Sequence, residues 1–187
     1  MKEPEDYWYL NQHEADEEAD VLYEVDGMDD AEEFDITLKC MKTVGFSEKE
    51  IDEIQSVLVA ILNLGNVKFA DAKRGECKLD EDTLDFSSKF GNYLGIKEAA
   101  DVESLLTKMY KETMGEEMYI TYSPDNAVLA RDSLAKLIFK KVFDFICAKL
   151  NESLNKGFDT SKRNKNKLFT GILDIFGFEI FRFNSFE

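Results

Sequence analysis

The sequence predicts a mainly helical fold with a few short strands, and its local signals say why. Ser47-Glu48-Lys49-Glu50 is a capping box, and Ile51, Ile54, Leu58, Ile61 and Leu62 behind it share one helical face. Ser123-Pro124 supplies an N-cap and a first-turn proline before a run, Asp125 to Lys156, that holds neither Gly nor Pro. Within that run Leu134, Ile138, Val142, Ile146, Leu150 and Leu154 recur at every fourth residue, which predicts one long helix ended by Gly157. Strand-like alternation is confined to short stretches at 66–70 and 117–122.

The remaining elements follow in order. Residues 29–44 carry Phe34, Leu38 and Met41 at helical spacing, with Gly45 as the cap that ends the helix. Gly65 closes the helix that the capping box opens. Residues 71–82 are polar, with Lys73, Arg74 and Lys78 among acids, and read as a loop. Two shorter helices are expected at 84–94 and 98–109. The strand-like 117–122 lies between Gly115 and Pro124, so a hairpin or extended loop is expected there. Residues 158–167 form a basic, hydrophilic linker. The apolar 168–176 reads as a buried strand with one acid, Asp174, inside it.

Composition narrows the function. A hydrophobic share of 44% and an aromatic share of 12% fit a folded domain. No stretch approaches the ~18 apolar residues of a membrane span, and Met1–Asp6 lacks the apolar run of a signal peptide, so a cytosolic location is expected. Of the net charge of −16, residues 1–35 carry −14, as a solvated acidic run. That run does not fit a calcium loop, whose third position would fall on Leu22. Phosphate binding needs clustered Lys and Arg, so no nucleic-acid partner is expected. Cys40, Cys77 and Cys147 are too scattered for a zinc site and read as reduced, mostly buried thiols. The sole histidine, His13, lies in the acidic run, which excludes a Ser-His-Asp triad.

One constellation carries chemistry. An Asp near the end of an apolar strand, followed by a Gly turn, can set a carboxylate near Mg2+ and a bare backbone N–H near a phosphate oxygen. Asp174-x-x-Gly177 has this form, although a plain strand and turn fits those four residues as well. The surrounding Leu173-Asp174-Ile175-Phe176-Gly177-Phe178-Glu179-Ile180-Phe181, ending in Asn184-Ser185-Phe186-Glu187, closely resembles switch II and the start of the relay helix of myosins. Upstream, Tyr9-Leu10-Asn11-Gln12, residues 25–34, 59–67 and 130–136, and the helix end at 146–154 resemble the upper actin-binding-cleft subdomain in the same order.

The resemblance implies a partial piece of the α/β P-loop NTPase-type myosin motor domain, an actin-based Mg-ATPase located in the cytoplasm on the cytoskeleton. It implies an upper-cleft part at 1–157, the linker at 158–167, and the switch II strand and loop with the start of the relay helix at 168–187. Gly177 would offer its N–H to the γ-phosphate, Asp174 would stand in the outer shell of Mg2+, and Glu179 would pair with a switch I arginine and hold the attacking water. Phe178 would couple the loop to the relay helix. By the same resemblance two elements face the actin filament: the loop at 71–82, through Lys73, Arg74 and Lys78, and the cardiomyopathy loop at about 108–124. For both, the residues taken alone favour an ordinary polar loop. The family places an acidic or phosphorylatable residue on the second loop, which falls on Glu116 with Glu117 beside it. Actin competence without phosphorylation at that loop is therefore expected.

No Gly-Lys pair occurs in the chain, so no Walker phosphate loop can be drawn, and nothing resembles switch I. The chain is thus expected to be a middle slice of a motor, dependent on the remainder of the motor domain and inactive toward ATP by itself. A non-catalytic helical interaction module, or a truncated product without motor activity, stays open as the alternative.

Overall fold

The computed structural model describes residues 3–11, 27–113, 116–156 and 171. The chain divides into two units, Met1–Asn155 and Lys156–Glu187. The second contributes only Lys156 and Gly171 to the described residues, so the expected linker, buried strand and sensor loop lie outside them.

The first unit is built from five helices and two hairpins among the described residues: α1 (Asp30–Thr43), α2 (Glu48–Gly65), β1 (Phe69–Asp71), β2 (Cys77–Leu79), α3 (Leu84–Leu94), α4 (Ala99–Thr107), β3 (Lys108–Thr113), β4 (Glu116–Thr121) and α5 (Pro124–Leu154). Both sheets are two-stranded and antiparallel, β1 with β2 and β3 with β4. A mainly helical chain with a few short strands is what the sequence predicts.

The start of α2 forms as its residues dictate. The Ser47 hydroxyl accepts from the Glu50 amide, and the Glu50 carboxylate accepts in return from the Ser47 amide at 2.8 Å. At the start of α5, Ser123 accepts from the Asn126 amide and Pro124 takes the first helical position. The 31 residues of α5 span about 46 Å at 1.5 Å per residue. Gly45 has φ +96°, the left-handed conformation that ends α1 at no Cβ cost. Gly65 serves differently from a helix-ending cap. It is the last helical residue, and a Cβ there would meet the Tyr9 ring at 2.7 Å.

Helices α2, α3, α4 and α5 enclose the main core with Val67 and Leu79. Phe90, Leu64, Leu106 and Val67 are the largest fully buried side chains, each stabilising by about 1.5–3 kcal/mol. A second cluster, Phe46, Ile51 and Ile54, is covered by Leu38 and Met41 of α1 and by Val142, Ile146 and Leu150 of α5.

The structure corrects five readings. The polar stretch 71–82 is not simply a loop, because it contains β2, whose Cys77 and Leu79 point inward with Lys78 outward; three residues are too few to show a period. The strand read at 66–70 is β1 at Phe69–Asp71. The helix expected to reach residue 109 stops at Thr107, and Lys108 already pairs with Thr121. Pairing with the strand-forming Met118-Tyr119-Ile120 there overrides local helical preference. Among the thiols Cys77 is buried and Cys147 half-buried, but Cys40 is exposed because α1 buries no residue fully. Phe34, expected on the apolar stripe of α1, is likewise exposed.

Candidate functional site

The β1–β2 hairpin presents the first expected actin-facing element. Ala72 donates to the Glu76 carbonyl at 2.7 Å and closes a 3-10 turn over Lys73–Gly75. Arg74 sits at φ 64°, ψ 27°, the only non-glycine residue with positive φ among those described. The side chains of Lys73 and Arg74 are exposed and have no ion-pair or hydrogen-bond partner among the described residues. Lys78 differs from them. Its ammonium lies 2.9 Å from Glu81, and that hydrogen bond raises its pKa while lowering that of Glu81. The three cations that the sequence groups together are two free charges and one neutralised pair.

The β3–β4 hairpin is the second element. Its register pairs Met109 with Ile120, Tyr110 with Tyr119, Lys111 with Met118, Glu112 with Glu117 and Thr113 with Glu116. Alternation puts Tyr110 and Tyr119 on one face, their rings edge-on at 5.8 Å, and Met109, Met118 and Ile120 on the other. Partial desolvation, then a hydrogen bond to Glu117, raises the Tyr110 pKa. Glu117 therefore has a partner on its own hairpin. Glu116 opens β4 beside the turn.

Sequence reasoning missed the polar node that ties the base of the first hairpin and the segment 3–11 to α5. Arg131, buried on α5, donates through Nη1 to the Val67 carbonyl at 2.7 Å, just before β1. Its Nε and Nη2 lie 2.8 and 2.7 Å from Asp132 Oδ1, which also accepts from the Tyr9 hydroxyl at 2.6 Å. Burial, then the bond to Asp132, pushes the Tyr9 phenol well above its ordinary range. The Asn66 side chain clamps the same segment, accepting from the Trp8 amide at 2.7 Å and donating to the Asp6 carbonyl at 2.6 Å. An Arg-Asp pair in an apolar helix is the one local hint of such a node. Its partner Tyr9, 123 residues away from Asp132, cannot be read from spacing.

Asp174, Gly177, Phe178 and Glu179 lie outside the described residues. No described helix is long and apolar enough to cross a membrane.

A helical body that bears two antiparallel hairpins, with the sequence Asp174-x-x-Gly177 further along the chain, fits the helical part of a motor-domain class of protein. A family model described as "Myosin head (motor domain)" matches residues 1–187, and the chain belongs to that family. Among curated relatives, it is 36% identical over 189 residues to Myosin-6 of Arabidopsis thaliana. It is 37% identical over 192 residues to Myosin-17 of the same plant, and 36% over 194 residues to Myosin-3 of Candida glabrata. Each alignment covers 100% of this chain but only 12%, 11% and 14% of those proteins.

Proposed function

We propose that this chain supplies the switch II phosphate sensor and part of the actin-facing cleft of an actin-based motor in the cytoplasm that turns over Mg-ATP. The observation that carries the reading is the family match across residues 1–187, which includes the sensor motif at 173–179. Mg-ATP is the substrate, and the remainder of the motor domain supplies the other phosphate contacts.

The roles are those that the family resemblance implies, and residue chemistry is compatible with each. Gly177 has no Cβ, so its backbone N–H can approach a γ-phosphate oxygen closely. The Asp174 carboxylate assists in holding Mg2+ through water, and the Glu179 carboxylate orients the attacking water. Phe178 passes the position of the loop to the helix that follows. Lys73 and Arg74 are free cations suited to an acidic filament surface, whereas Lys78 must first leave Glu81. Glu116 and Glu117 supply standing negative charge on the second hairpin.

The test is Gly177→Ala in the parent motor. The added methyl blocks the approach of the loop to the phosphate, so ATP should bind while the hydrolytic burst disappears. A normal burst in the variant overturns the role given to Gly177.

A further inference from the structure

We infer that the two hairpins form one mechanical unit, bridged through Tyr122, so that the Lys73–Arg74 tip and the β3–β4 ribbon meet a single acidic protein surface in fixed relation. The partner half of this inference rests on the actin reading above; the mechanical half does not.

The bridge is made of backbone. The Cys77 amide, on β2, donates to the Tyr122 carbonyl at 2.9 Å, and the Tyr122 amide donates to the Thr107 carbonyl at 2.8 Å. Thr107 immediately precedes β3, and Tyr122 immediately follows β4. Tyr122 thus closes the neck of the second hairpin with its N–H and grips the first hairpin with its C=O. Because all four groups are main-chain, the geometry does not depend on side-chain rotamers. Cys77 and Thr107 are both buried, and the Cys77 Sγ lies 3.9 Å from the Thr107 carbonyl. Water therefore cannot readily replace a broken bond there, which makes opening costly.

The two hairpins differ in what else holds them. The first is fixed at its base by Arg131 on Val67 and by two bonds at Lys68: its amide donates to the Thr83 hydroxyl and its carbonyl accepts from the Asp80 amide. The second stands over an open cleft of about 500 Å3, lined by Leu105, Tyr110, Tyr119, Ala130 and Leu134, which parts its tyrosine face from α4 and α5. Its direction is set at the neck, and the neck is bonded to the firmly anchored first hairpin. A force on either tip is carried to the other through Tyr122.

The inference is tested on the full chain, without actin, by two measurements. Spin labels on noncanonical residues at Lys73 and Glu112 should give one narrow distance distribution. Cys77→Phe, which forces a ring into the bridge, should broaden it. Should that variant fail to fold, amide hydrogen exchange on the unaltered chain decides. The Cys77 and Tyr122 amides should exchange at matched rates, both at least about tenfold slower than the tip amide of Glu76. A broad distribution in the unaltered chain, or a Cys77 amide as fast as that of Glu76, overturns the coupling. The partner is tested separately in the parent motor. Lys73→Ala with Arg74→Ala should weaken actin binding at low salt at least about threefold. Unchanged binding together with a narrow distance distribution overturns the actin reading and leaves the coupling standing.

Discussion

Arg74 combines two properties that are separable by substitution. Its left-handed backbone costs a non-glycine residue about 1–2 kcal/mol, and its guanidinium stands free at the hairpin tip. Arg74→Gly relieves the strain but adds about 0.5–1 kcal/mol of unfolded-state entropy, so stability should stay level or rise slightly. Actin affinity of the parent motor at low salt should fall, because the free cation is gone. A variant with a clearly lower urea midpoint would show that the turn needs the arginine side chain. Glu50 offers a second residue-scale test. Its carboxylate accepts from Lys149 at 2.6 Å and from the Ser47 amide and hydroxyl, and these bonds lower its pKa to about 2 from an ordinary 4.5. The unfolded state therefore binds more protons across that window, so this stabilisation is full above pH about 4.5 and is lost as pH falls through about 2. Glu50→Gln should lower the thermal midpoint at neutral pH, with the gap to the parent sequence closing across that acid range. A gap that does not depend on pH rules out the charged pair as its source.

Packing leaves no room for a side chain at Gly91, where α3 meets α4. A Cβ on Gly91 would lie 2.6 Å from Val102 Cγ2, and Val102 is buried. Gly91→Ala gains up to about 1 kcal/mol of helix propensity but overpacks the core by about 1–3 kcal/mol, so a net loss is expected. Denaturant unfolding measures it, and Val102→Ala in the same chain should recover part of the loss. A more stable Gly91→Ala chain would show that the helices can part without cost. At this scale the elements that announced themselves were those with local grammar. The Ser47–Glu50 box and Ser123-Pro124 fix their helices through groups a few residues apart. In contrast, β2 and β3 form by pairing with β1 and β4 and not from a pattern of their own. Lys108–Thr113 carries no clear period of its own, and Met118-Tyr119-Ile120 draws it into a strand. The Tyr9–Asp132 bond was illegible for the same reason. The sensor reading of Asp174-x-x-Gly177 rests only on resemblance to a family, since four residues of Asp-x-x-Gly fit many turns, and those residues lie outside the described ones.

For the whole molecule, charge is unevenly placed. The acidic run lies within residues 1–35, while the hairpins mix free cations with acids. On the proposed reading, standing charge at Glu116 and Glu117 on the second hairpin would take the place of a phosphate of about −1.5 to −2. Changing both to Gln in the parent motor should lower the ratio of actin-activated to basal turnover. Equal activation in the two proteins would leave these glutamates as solvating groups only. The outer side of α5 is also informative. Leu129, Leu137, Phe139 and Phe143 are exposed there, so this helix is apolar on the side away from its core as well as toward it.

The Tyr9–Asp132 bond also sets a schedule for synthesis. The segment 3–11 leaves the ribosome before α5, and the acceptor of Tyr9 is 123 residues further along. At about 5–20 residues per second, the Tyr9 hydroxyl waits roughly 6 to 25 s before Asp132 on α5 can receive it. During that interval Tyr9 lacks its acceptor on α5, within reach, together with its neighbours Tyr7 and Trp8, of any chaperone that binds apolar segments of nascent chains. The part of the polypeptide made earliest in this unit is thus among the last to reach its place.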